Sequence, residues 1–146
     1  MNPTDLSIVY GAQTLSEILS QPQCWNTVLR KLASSMEFQA AVKMARPGAE
    51  WIFVGCGTSY YLAMAAASAF HHVGLSARAL PGSEILLYPD LSLPSGRDYI
   101  PIVISRSGRT SESVRAAHVL EQERDLRTIA ITCGDRQHSK RSAALR

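Results

Sequence analysis

The sequence predicts an α/β domain: a three-layer, doubly wound parallel sheet preceded by two N-terminal helices. Two observations carry that prediction. Short apolar runs rich in strand formers alternate, from residue 50 to residue 132, with segments of helical periodicity. The turns after the first and third runs are dense in glycine and hydroxyl residues, the chemistry found where strands feed helices at the ligand-binding edge of such a sheet.

Each element has a local reason. Leu15, Ile18 and Leu19 share a helical face over 12–20, with Thr14 and Glu17 spaced as a capping box. Gln21-Pro22 is expected to end that helix, and a second, longer one to run over 24–45 through Trp25, Val28, Leu29, Leu32, Met36, Ala40 and Met44 until Arg46-Pro47-Gly48 stops it. Trp51-Ile52-Phe53-Val54 is too short for a helix and reads as the first buried strand. Thr58 or Ser59 can cap the helix that follows, which reaches Phe70 and stops at Gly74. A second strand over 75–80 leads through Pro81-Gly82-Ser83 into a helical turn at Glu84–Leu87, then a polar loop over 89–97. The third strand is Tyr99–Ile104, despite Pro101, which cannot donate to a ladder. A helix over 111–124 and a fourth strand over 127–132 complete the alternation, and Trp25 and the methionines are assigned to the core.

Composition narrows the function. The chain of 146 residues is 46% hydrophobic and 18% charged, which suits a globular domain and excludes a disordered one. Its longest apolar stretch, Leu62–Phe70, is about half of the roughly 20 residues that a bilayer crossing needs. Met1–Asp5 has neither a basic nor an apolar leader region, so a cytoplasmic location is expected. Cys24, Cys56 and Cys133 form no CxxC pair and have no histidine at metal-ligand spacing; they read as free thiols, with no metal expected. The net charge of +3 is local, because 136–146 holds four basic residues and no acid, leaving 11 basic against 12 acidic groups before it. Nucleic acid and membrane partners are therefore not expected.

Two turns could carry chemistry. Gly55-Cys56-Gly57-Thr58-Ser59 offers close backbone approach and two hydroxyls, although capping alone would select the same residues. Ser105-Arg106-Ser107-Gly108-Arg109-Thr110 offers three hydroxyls, a glycine and two guanidinium groups, more than capping needs, and reads as a phosphate-binding loop. Nucleotide motifs fail: no GxxxxGK[ST] is present, Tyr60 stands where a dinucleotide fingerprint has its third glycine, and 73–80 contain no acid. No cofactor is expected. His71 and His72 near a helix end suit contacts to terminal carbonyls, His118 a helix surface, and Cys56 a filler thiol.

These turns, with Glu17-Ile18-Leu19-Ser20-Gln21-Pro22 and Gly82-Ser83-Glu84, resemble the sugar isomerase (SIS) domain family over residues 15–135. The texture is most similar to the isomerase portion of glutamine:fructose-6-phosphate aminotransferase and its glutaminase-free relatives. The resemblance implies a flavodoxin-like fold and a sugar phosphate held by Thr58, Ser59, Ser105, Arg106, Ser107, Gly108 and Thr110, with Gly57 and Glu84 as further ligand contacts. Arg106 and Arg109 stand where the aminotransferase has Gln and Glu, which points toward isomerase or deaminase relatives. Catalytic residues are not assignable, since the family's base, lysine and ring-opening histidine lie in a second SIS half.

The expected organisation is a helical segment at 1–48, an SIS phosphosugar-binding domain at 49–135 and a basic, disordered tail at 136–146. With almost no apolar residues in 134–146, the fifth strand is expected to be missing, as in a truncated or frame-shifted reading frame. The expected function is binding of a hexose or amino-hexose 6-phosphate, as a homodimer and as the first half of a sugar-phosphate isomerase, aminotransferase or amino-sugar deaminase. A non-catalytic sugar-phosphate sensing module and an inactive fragment are the alternatives.

Overall fold

The computed structural model describes residues 11–133, which fall into two compact units that divide after Lys43. The first holds α1 (Ala12–Ala33) and α2 (Met36–Val42). The helix break is not at Pro22, as the sequence predicts, because Pro22 lies inside α1. A proline there removes one N–H and crowds the preceding turn, at a cost of about 3 kcal/mol, yet the flanking helix-forming residues carry the helix through. The chain breaks instead at Ser34-Ser35, where a new start can be capped: the Ser35 hydroxyl accepts from Phe38 N at 3.2 Å and donates to Glu37 at 2.7 Å. The capping box at Thr14 and Glu17 is also corrected, since α1 begins after Gly11 without a side-chain cap. Trp25 and Met36 are 65% and 83% exposed, so neither belongs to a core; Met44 packs beneath the sheet of the second unit.

The second unit contains β1 (Glu50–Gly55), α3 (Thr58–His72), β2 (Ala77–Pro81), α4 (Gly82–Leu87), α5 (Pro89–Ser92), β3 (Tyr99–Ile104), α6 (Ser111–His118) and β4 (Ile129–Ile131). All described strands are parallel, in the order β2-β1-β3-β4, so β1 and β3 are central. The fold is therefore the predicted α/β one. The helix after β3 extends beyond α6 as a π-helical turn, Val119–Glu123, closed by Arg124 N to Val119 O at 3.1 Å. The expected polar loop over 89–97 begins with the short helix α5. The expected lack of a fifth strand and the expected disordered basic tail concern residues that lie outside the described ones.

Period-two alternation sorts each central strand onto two faces. Trp51, Phe53, Ile100, Ile102 and Ile104 pack with Ala63 and Ala67 of α3. Ile52, Val54, Leu80 and Val103 pack on the other face with Ile85 of α4 and with Ala116 and Leu120. Alanines on α3 bring that helix close to the sheet, and Phe70 meets the edges of Trp51 and Phe53 at centroid distances of 5.2 and 4.9 Å. Pro101 is tolerated for a reason visible in the ladder. Glu50 N bonds Asp98 O, and amide direction alternates along a strand, so the Pro101 nitrogen faces the β4 side, where pairing begins only at Ile102 opposite Ile129. Arg78 ties three elements together, bonding Glu50 at 2.8 and 3.3 Å and the Ser92 carbonyl at 2.9 Å. No described helix is long and apolar enough to cross a membrane.

Candidate phosphate-binding site

The parallel register sets Gly55 beside Pro81 on one side and beside Ile104 on the other, with Ile104 beside Ile131. All four strand ends are thus level, and the two turns singled out in the sequence leave neighbouring strands at the same edge.

In the first turn each glycine is needed for a different reason. A Cβ on Gly55 would lie 2.4 Å from the Ser59 carbonyl oxygen and 2.7 Å from Tyr60 N, so the first turn of α3 folds directly over the strand end. Gly57 has φ +55°, in the region that favours glycine, and is the N-cap of α3. Because that cap is a glycine with no side-chain bond, Thr58 and Ser59 do not cap the helix as the sequence allows. Their hydroxyls make no hydrogen bond with a described residue, with Thr58 exposed and Ser59 half-buried. The capping explanation for these residue types therefore fails: the Ser59 and Tyr60 N–H groups bond the Cys56 and Gly57 carbonyls instead, and the two hydroxyls stand free at the helix start.

The second turn is braced from β4. Ser105 N bonds Ile131 O at 3.0 Å, and the Arg106 carbonyl accepts from Cys133 N at 3.0 Å and from the Thr132 hydroxyl at 3.4 Å. Gly108 has φ +64°, and a Cβ there would meet Thr132 Oγ1 at 2.8 Å, so only glycine lets the loop lie against the end of β4. Ser105 is 6% exposed and donates to Thr110 Oγ1 at 3.4 Å, whereas Ser107 accepts from Arg109 N at 3.2 Å. Ser107, Arg106, Arg109 and Thr110 are exposed, and neither guanidinium pairs with a described acid. Exposed hydroxyls and unneutralised guanidinium groups at one edge favour an oxygen-rich anion.

The third turn contributes Gly82, buried at the start of α4, and Glu84, which is exposed and has no described side-chain partner. Cys56 sits among these elements: its sulfur accepts from Ser113 Oγ at 3.3 Å and packs against Gly82 beside the Glu112 carboxylate. Burial pushes the thiol up, and the nearby Glu112 charge adds to the shift, which favours the protonated thiol over the thiolate.

Other candidates lie elsewhere. His71 and His72 are at the far end of α3, which at 15 residues spans about 22 Å from the turns. His71 does not bond the terminal carbonyls; its Nε2 accepts from Ala77 N at 3.3 Å and guides the chain into β2. Thr132 and Cys133 were missed by the sequence reading as supports of the second turn. The available signal was a hydroxyl immediately after a strand in a sheet whose ligand edge is at the strand ends. The described residues contain no cluster of three His, Cys, Asp or Glu suited to a metal.

Comparison with known proteins places the chain in a family. D-galactosamine-6-phosphate deaminase AgaS from Shewanella sp. (strain ANA-3) is 32% identical over 132 residues, covering 85% of this chain and 34% of the relative. This chain thus spans about a third of that relative's length. Among solved structures, tagatose-6-phosphate ketose/aldose isomerase from Escherichia coli superposes with a TM-score of 0.65 at 24% identity, covering 86% of this chain and 35% of the other. The C-terminal domain of glucosamine-fructose-6-phosphate aminotransferase from Francisella tularensis gives 0.64 at 23% identity, covering 84% and 35%. These two likenesses are of fold. The SIS domain profile matches residues 48–146, more than half of the sequence and all of both turns, and the chain belongs to the SIS domain family.

Proposed function

We propose that this chain binds a hexose or amino-hexose 6-phosphate, as the phosphate-holding SIS unit of a sugar-phosphate isomerase or amino-sugar deaminase. The observation that carries the reading is the pair of turns on the adjacent strands β1 and β3, with hydroxyls and guanidinium groups that neither capping nor ion pairing consumes. In this reading Thr58, Ser59, Ser107 and Thr110 donate to phosphate oxygens, Arg106 supplies charge, and Gly57 and Gly108, without side chains, let the ligand approach closely. Ser105 acts from beneath, fixing Thr110. Glu84 faces the sugar rather than the phosphate. The likeness to a galactosamine-6-phosphate deaminase supports an amino-sugar phosphate and a deaminase over an aminotransferase. Three free thiols suit a reducing compartment such as the cytoplasm. Exposed Leu15, Ile18 and Leu29 on α1 suit pairing with a second copy.

Anchoring a phosphate stabilises ground state and transition state alike, so these turns set affinity rather than turnover. Conversion between aldose and ketose, or loss of an amine, needs a base and an acid positioned at the C1 and C2 carbons. Calorimetry with galactosamine 6-phosphate and with galactosamine tests the proposal: the phosphorylated sugar should bind and the free sugar should not.

A further inference from the structure

Three turns meet at one side chain. Cys56 lies between the two glycines of the β1–α3 turn, and its sulfur lies against the start of α4 and the first turn of α6. It accepts from Ser113 Oγ of α6 at 3.3 Å and sits beside Gly82 and the Glu112 carboxylate. The packing here admits nothing larger. A Cβ on Gly82 would lie 2.9 Å from Sγ and 3.2 Å from Glu112 Oε1, and Ser113 is 3% exposed. Glu112 and Ser113 follow directly on the Ser105–Thr110 loop, so their placement sets where that loop begins its helix.

We propose that Cys56 is the positioning residue that holds the three strand-end turns in one arrangement and so presets the site for the phosphorylated ligand. The inference rests on the reading of that edge as a phosphosugar site. A thiol suits the task because it can donate and accept at once, as a hydroxyl also can. Its protonated state matters, since a thiolate beside the Glu112 carboxylate would add repulsion. The residue touches no ligand atom in this account; it acts through Gly82, Glu112 and Ser113.

Two measurements on the whole chain test this. Hydrogen–deuterium exchange without ligand should show peptides covering 55–60, 82–87 and 105–113 speeding up together in Cys56→Ala, with 99–104 unchanged and Cys56→Ser close to the parent. Calorimetry with galactosamine 6-phosphate, well below the melting temperature where all variants are folded, should show Cys56→Ala weakened about tenfold, Ser113→Ala less, and Cys56→Ser within about threefold. Should Cys56→Ala fail to fold, Ser113→Ala carries the same test, because it removes one bond to the sulfur and leaves the thiol in place. Faster exchange confined to 55–60, or unchanged affinity in Cys56→Ala or Ser113→Ala, would overturn the proposal. Failure of the parent chain to bind galactosamine 6-phosphate would refute the ligand reading, while the exchange pattern would still decide whether Cys56 joins the turns.

Discussion

Replacing each glycine of the first turn with alanine separates two physical effects within three residues. Gly57 has φ +55° and ψ −127°, a conformation side-chain-bearing residues avoid, and open space around it, so Gly57→Ala meets only that backbone penalty, about 1–3 kcal/mol. Gly55 has no positive φ, and alanine there would even stabilise by about 0.4–1 kcal/mol through the unfolded chain if space allowed. Space does not allow it, because the added carbon would sit 2.4–2.7 Å from backbone atoms of Ser59 and Tyr60. Backbone cannot rotate away as a side chain does, so α3 must lift from the end of β1, and a cost of about 3 kcal/mol or more is expected. For a unit of this size, 1 kcal/mol corresponds to a change of about 4 °C or more in melting temperature. Thermal unfolding followed by circular dichroism should therefore place Gly55→Ala at least 10 °C below the parent, roughly, and Gly57→Ala about half as far. Equal melting temperatures for the two variants would refute the close seating of α3 on the strand end.

Three further outcomes follow from the same structure. Arg78→Met leaves the largely buried Glu50 carboxylate, 14% exposed, without its partner; since Arg78 itself is 35% exposed and solvent weakens the pair, a loss of about 1–2 kcal/mol is expected in urea unfolding. Arg46 bonds the Asp98 carboxylate and holds it below its ordinary 3.8. A depressed folded-state value gives stability that is present above about pH 4 and lost as pH falls through the folded value, so Arg46→Gln should destabilise at pH 7 and converge with the parent in strong acid. On the proposed reading the chain of 146 residues should show no turnover of glucosamine 6-phosphate, nor of fructose 6-phosphate with ammonia, because anchoring a phosphate does not supply the paired base and acid that turnover needs. Turnover that vanishes in Glu84→Gln would show that this unit carries its own base.

Legibility in the sequence followed the range of the forces involved. Strands and helices from Trp51 onward were readable because burial on two faces writes near-continuous apolar runs, and the second turn stood out because its three hydroxyls, glycine and two arginines exceed what capping needs, whereas capping alone could account for the first. Near the N-terminus the rule that proline ends a helix failed at Pro22, while the stop at Ser34-Ser35 depended on a cap that serine composition alone does not announce. The free state of Thr58 and Ser59 could not be read, since the choice of Gly57 over a hydroxyl as N-cap is made by local geometry. Ser105 shows the same limit: its sequence neighbours mark it as a ligand group, but the bond from its N–H to Ile131 turns it inward against Thr110. Contacts between turns, such as Cys56 with Ser113 and Gly108 with Thr132, join residues 57 and 24 positions apart and leave no pattern in a single chain.

The most direct test of the account is calorimetric titration of galactosamine 6-phosphate and of galactosamine into the parent chain and into Ser107→Ala. The account predicts saturable binding of the phosphorylated sugar, none of the free sugar, and a loss of about 1–3 kcal/mol in Ser107→Ala as one charge-assisted bond to phosphate disappears. Equal binding of both sugars, or an unchanged affinity in Ser107→Ala, would contradict it.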